Sequence, residues 1–104
     1  MQLTKDADKI VCFMYKSYLE KRKAGINKIN ALHFELSDIK TFKICSSWSD
    51  SDIKVTVAEL KRTGLGKTYI NGGFSANEQF IIYMENRFKD GLTGVVDFIS
   101  KLIP

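Results

Sequence analysis

Histidine and cysteine are scarce in this 104-residue chain: one histidine, His33, and two distant cysteines, Cys12 and Cys45. A zinc site built from all three would lack a fourth ligand and every usual ligand spacing, so no metal is expected. No CxxC is present, and both cysteines stand in apolar settings, which fits buried thiols in a reducing compartment. With no second histidine to act as base, and no serine or cysteine in a strand-turn-helix elbow, nucleophilic catalysis is not expected. Asp50 and Asp52 are close carboxylates, but at a helix start the helix dipole explains them. The expectation is a non-enzyme with no catalytic residue and no cofactor. No apolar run approaches the roughly 18 residues of a membrane span. Met1 to Lys9 mixes both charge signs, unlike a secretory leader, so a cytoplasmic chain is expected.

Gly64-Leu65-Gly66-Lys67-Thr68 resembles the end of a phosphate-binding loop, but Lys61 stands where the motif needs its first glycine. The order of elements is also reversed, with a helix before and a strand after. No nucleotide site is expected there.

What is present is an ordinary globular composition, 44% hydrophobic and 27% charged, in a length that suits one domain over residues 1–104. The net charge of +4 is unevenly placed. Residues 1–70 hold 13 Lys and Arg against 8 Asp and Glu, whereas residues 71–104 hold 3 against 4. Basic character belongs to the front of the chain, where an anionic partner such as nucleic acid would meet it.

Thr4 is a plausible N-cap, with Asp6 and Asp8 in the first turn and Ile10, Phe13, Met14, Ser17 and Tyr18 at helical spacing. The spacing predicts a first helix packed on one face and ended by Gly25. Lys21-Arg22-Lys23 at its end suits the dipole. Residues 26–36 fit a helix through Ile26, Ile29, Leu32 and Leu36, and equally a strand through Leu32, Phe34 and Leu36. Ser37 offers a cap for a brief helix, Asp38 to Cys45, with Ile39, Phe42 and Cys45 inward. Trp48 is expected to fill a gap between helices.

Ser49 or Ser51 then caps a helix over 51–63, stopped by Gly64. Ile53, Val57 and Leu60 form its inner face; Lys54, Ala58, Lys61 and Arg62 share the outer one. A short strand, Lys67 to Asn71, a Gly72-Gly73 turn and an apolar return through Phe74 predict a hairpin. Ser75-Ala76-Asn77-Glu78 matches a capping box and opens a further helix.

Beyond it, apolar residues recur almost to the terminus. A seam through Ile81, Met84, Phe88, Gly91, Val95, Phe98 and Leu102 alternates by three and four, as in pairing helices. Asp90-Gly91 and Gly94 are candidate breaks, leaving open whether 76–103 is one helix or two.

The run Glu59-Leu60-Lys61-Arg62-Thr63-Gly64-Leu65, then a strand, Gly72-Gly73, Phe74 and a capped helix carrying Tyr83-Met84-Glu85-Asn86, resembles small bacterial and phage winged helix-turn-helix proteins. The resemblance covers roughly residues 5 to 90 and departs from the family in a wing with few basic residues. It implies a mainly α fold with a small β-hairpin, residues 1–74 as helices and wing and 75–104 as a helical packing or dimerisation segment. It further implies double-stranded DNA as partner, in a dimeric transcriptional regulator with the helix over 51–63 in the major groove. Ser51, Lys54, Val55, Ala58, Lys61 and Arg62 would face DNA, with Lys67 and Thr68 near the backbone or minor groove. Ile81, Met84, Phe88, Val95, Phe98 and Leu102 would join two subunits. The alternative is a winged-helix interaction module that binds no DNA and docks a protein through the apolar C-terminal helices.

Overall fold

The computed structural model describes residues 1–103 and is mainly helical, with a small antiparallel sheet. Its central element is α1 (Lys5–Lys23), capped by Thr4, whose hydroxyl accepts the Ala7 N–H, with Asp6 and Asp8 in the first turn. A single buried face was the sequence expectation. Instead Ile10, Val11, Cys12, Phe13, Met14 and Tyr15 are buried in succession, which only a helix covered on all sides permits. The covering elements are α2 (Lys28–Ala31), α4 (Asp50–Arg62), α5 (Glu78–Arg87) and α6 (Leu92–Ser100).

The ambiguous stretch after Gly25 contains both elements in succession. Asn27 caps α2, and the chain then extends into β1 (His33–Phe34). Helix α3 (Leu36–Lys40) begins earlier than Ser37 predicts. Glu35 is its cap and forms a reciprocal box with Asp38, whose carboxylate accepts the Glu35 N–H at 2.8 Å. It also ends early: Phe42 is extended, and a separate 3-10 turn, Lys43–Cys45, follows. Ile39, Phe42 and Cys45 are nonetheless all buried, and Trp48 packs against the core as expected.

Helix α4 is capped by Ser49, which accepts the Asp52 N–H at 3.1 Å, and buries Ile53, Thr56, Val57 and Leu60. Gly64, at φ 85°, takes the left-handed conformation that ends it, and the Leu65 N–H reaches back to the Leu60 carbonyl. Strand β2 (Gly66–Thr68) follows, then a turn in which Tyr69 and Gly72 are bonded, then β3 (Phe74–Ala76). The first hairpin strand is thus shorter and earlier than the Lys67 to Asn71 expected. A Cβ on Gly66 would lie 2.2 Å from the Ser75 carbonyl oxygen and 2.5 Å from the Phe74 ring, so β2 approaches β3 this closely only because residue 66 has no side chain. Strand β1 joins the far side of β3, and the sheet order is β1-β3-β2.

Ser75 is not a helix cap; it lies within β3, and Asn77 caps α5 by accepting the Phe80 N–H at 3.1 Å. Helical structure breaks between Arg87 and Leu92, with Gly91 at φ 63°, so the C-terminal segment is two helices. Arg87 locks α5 to α1 through a two-pronged ion pair with Asp8 and lies over the Phe88 and Phe98 rings. Burial alone would lower the Arg87 pKa; the Asp8 hydrogen bonds and the charge interactions with Cys12, Asp8 and Tyr83 together outweigh it and raise the pKa, so the guanidinium stays charged.

Candidate functional site

The outer face of α4 is built as its spacing predicts. Ser51, Lys54, Val55, Lys61 and Arg62 are exposed along it, and Ala58 is half-buried between them. Strand β2 packs beside the same helix and carries exposed Lys67 and half-buried Thr68. The Lys54 stem runs along the hairpin turn, since a Cβ placed on Gly72 would stand 3.0 Å from Lys54 Cε. The hairpin turn therefore borders the helix face, whereas Lys67 lies over the Tyr69 ring on the outer face of the sheet.

The basic charge on both is unpaired. Among the described residues, Lys54, Lys61, Arg62 and Lys67 have no carboxylate within 4.0 Å. Lys40, by contrast, holds Asp50 at 2.7 Å, and that hydrogen bond together with the Lys40 charge keeps the Asp50 pKa below its usual value. Glu59, the acid nearest the cations in sequence, is turned toward the chain start and accepts the Thr4 N–H at 2.8 Å and hydroxyl at 2.6 Å. Asp50 and Asp52 leave negative charge at the N-terminal end of α4, so its positive character lies toward Lys61 and Arg62. Sequence reasoning missed Ile70, which the turn leaves fully exposed. Its β-propensity placed it in a strand; the early turn put it outside.

The seam assigned to subunit pairing is used within the chain. Met84 and Val95 are fully buried, and Ile81 and Phe88 are buried too, all in the core that covers α1. Phe98 and Leu102 are half-buried, and the Phe98 ring packs at a tilt against Phe88, 5.7 Å between ring centres. Four of the six residues are thus enclosed within the chain, where they cover α1, whose apolar side chains lie all round. The apolar side chains α5 and α6 leave outward are Ile82 and Val96.

A polar cluster invisible in the sequence spans the outer face of the sheet. His33 and Ser75 face each other across β1 and β3. The bond from Ala76 N–H to the Leu32 carbonyl makes them a non-hydrogen-bonded pair, the kind whose side chains approach most closely. His33 Nδ1 lies 2.7 Å from Ser75 Oγ and Nε2 lies 2.9 Å from Glu35 Oε1, while the Tyr69 hydroxyl lies 3.0 Å from the same Ser75 oxygen. A serine, imidazole and carboxylate in line suggest acyl transfer, but a nucleophile needs oxyanion donors beside it. Ser75 and Lys67 are paired across β3 and β2 between the bonded pairs Tyr69–Gly73 and Leu65–Asn77, which commits the Ser75 N–H to the sheet ladder.

Among the described residues no three His, Cys, Asp or Glu side chains are grouped as metal ligands. Both cysteines are free and buried. Burial pushes the Cys12 thiol up to about 12 and the Cys45 thiol to about 11, so neither is a nucleophile near neutral pH. No described helix is long and apolar enough to cross a membrane. Comparison with protein-family models, with curated proteins and with solved structures finds no match.

Proposed function

We propose that this chain is a winged helix-turn-helix protein that binds double-stranded DNA in the manner of a transcriptional regulator. Helices α3 and α4 are the helix-turn-helix and the β2–β3 hairpin is the wing; the order of elements and the sheet order β1-β3-β2 support this reading. One observation carries the functional part: Lys54, Lys61 and Arg62 lie unpaired along one exposed face of α4, around Val55 and Ala58, which are small enough for a duplex to approach, and Lys67 is unpaired on the neighbouring strand. Unpaired cations gain most from replacing the counterions of a polyanion.

On this reading most of the affinity comes from phosphate contacts. Arg62 alone offers a two-pronged guanine contact, and the exposed Val55 methyls suit a thymine methyl, so sequence discrimination is modest. The tail's buried seam anchors α1, and Ile82 and Val96 are the exposed large apolar side chains that α5 and α6 offer to a second copy. On this reading the chain serves as a binder, and the Ser75 N–H, committed to the sheet ladder, holds the strand rather than an oxyanion.

The test is fluorescence anisotropy with a short duplex of mixed sequence at low ionic strength. Saturable binding that Lys61→Ala and Arg62→Ala each weaken, and Lys101→Ala does not, is the expected result; no binding to any duplex sinks the proposal.

A second reading is favoured by Val55, 65% exposed, and by fully exposed Ile70, two apolar side chains flanking the same cations. Such a surface would suit an acidic, apolar protein segment. Ile70→Lys separates the two: it tightens DNA binding on the first reading and weakens partner binding on the second.

A further inference from the structure

On the outer face of the sheet, away from α4, lies a groove of about 550 Å³ whose polar lining includes Lys21, His33, Asp38, Lys67, Tyr69 and Ser75. We propose that it binds a small organic anion, with the charged head between Lys21 and Lys67 and a flat apolar body against Ile29 and Leu32. No residue of α4 lines the groove, so Lys67 is the one residue it shares with the DNA reading.

Its volume is in the range of small-molecule pockets. The sign of the ligand follows from which charges are already engaged. Asp38 is among the lining residues, but its carboxylate accepts the Glu35 N–H. Glu35, behind His33, holds His33 Nε2 and accepts an N–H of α3. The two lysines have no acid partner among the described residues. Lys21 Nζ lies over the Phe34 ring at 4.5 Å and gives one 3.3 Å hydrogen bond to the His33 carbonyl; Lys67 Nζ lies over the Tyr69 ring at 5.5 Å. Both ammonium groups are thus positioned by aromatic faces and keep N–H donors free.

Hydrogen-bond direction makes the groove wall a fixed one. Glu35 can only accept, so His33 Nε2 carries a proton toward it. In the neutral imidazole Nδ1 then accepts from the Ser75 hydroxyl, and Ser75 in turn accepts from the Tyr69 hydroxyl. With that neutral imidazole every proton of the wall is committed, which leaves the lysines and the Asn30 amide as the donors facing a ligand. Ile29 provides for the apolar body: it lines the groove while 81% exposed, next to buried Leu32 and Ala76. A ligand that was only a head group would leave that surface wet.

The test is a titration of the full chain followed by amide and imidazole NMR, with phenyl phosphate as probe and inorganic phosphate and phenol as controls. Phenyl phosphate should saturate with shifts at Asn30, His33, Lys67 and Ser75, and bind at least about tenfold tighter than either control. Lys21→Gln and Lys67→Gln should each weaken it about tenfold, whereas Lys54→Ala leaves it unchanged. All are surface changes, and unaltered thermal midpoints verify that the variants fold. Inorganic phosphate binding as tightly as phenyl phosphate overturns the organic body. No saturable shift in the low-millimolar range, or equal binding by both lysine variants, overturns the site.

Discussion

Helix α4 and the C-terminal pair α5–α6 each carry an apolar stripe at helical spacing, yet the two regions make opposite use of their remaining surface. In α4 the stripe of Ile53, Val57 and Leu60 is buried and the opposite face presents unpaired cations. In the tail the longer seam of Ile81, Met84, Phe88 and Val95 is also buried, in this case to enclose a helix that is apolar all round. An apolar surplus in one element is therefore no sign of a partner until the needs of the others are counted. Six successive buried residues in α1 create that need.

The largest effect expected on this comparison is in the tail. Phe88→Ala should cost about 3–5 kcal/mol in chemical denaturation, because Phe88 stacks with Tyr15 of α1 and packs at a tilt against Phe98. The denaturation midpoint should not depend on protein concentration, whereas a subunit seam would make it do so. Val96→Ser, on the outward side of α6, should change stability by less than about 0.5 kcal/mol.

Next in size is the joint between α4 and the sheet. Gly66→Ala forces a Cβ against the Ser75 carbonyl and the Phe74 ring and should cost about 1–3 kcal/mol, read as a lowered thermal midpoint.

A pH effect comes from α1. Below pH 9 both folded and unfolded states keep the Cys12 proton. Above it the unfolded chain releases the proton while the folded chain retains it toward 12, so stability falls as pH rises across that interval. Denaturation at neutral pH and at about pH 10 checks the sign, and Cys12→Ala should flatten the slope.

The smallest effect on stability, and the largest on binding, belongs to the outer face of α4. Lys61→Ala and Arg62→Ala should each alter folding by less than about 0.5 kcal/mol while each reduces the salt slope of DNA binding by about 0.9.

Much of this division is legible in the sequence. The Ser49 cap, the α4 stripe and the Gly64 stop are local signals, and they place Lys54, Lys61 and Arg62 on an open face without any knowledge of tertiary contacts. The hairpin is legible to within a few residues, since Gly72-Gly73 marks the turn but does not reveal that Tyr69 already bonds across it. Two competing caps misled: Ser75 reads as an N-cap until β1 recruits it into a strand, and Ser37 loses to the Glu35–Asp38 box. The His33–Ser75 contact joins residues 42 apart through strand register, for which a short apolar run carries no signal. The destination of the tail was hidden for a related reason. One-face periodicity in α1 conceals Val11, Cys12 and Tyr15, whose burial needs α5 and α6 on the other side.

The central claim is that the unpaired cations on α4 and β2 meet DNA phosphates. It is tested most directly by the salt dependence of duplex affinity for the full chain and for a Lys54→Ala, Lys61→Ala, Arg62→Ala variant. With four cations engaged, log affinity should fall against log salt with a slope of about −3.6, and the variant should retain a slope of about −0.9. Equal slopes for the two proteins, or no binding at low salt, would contradict it.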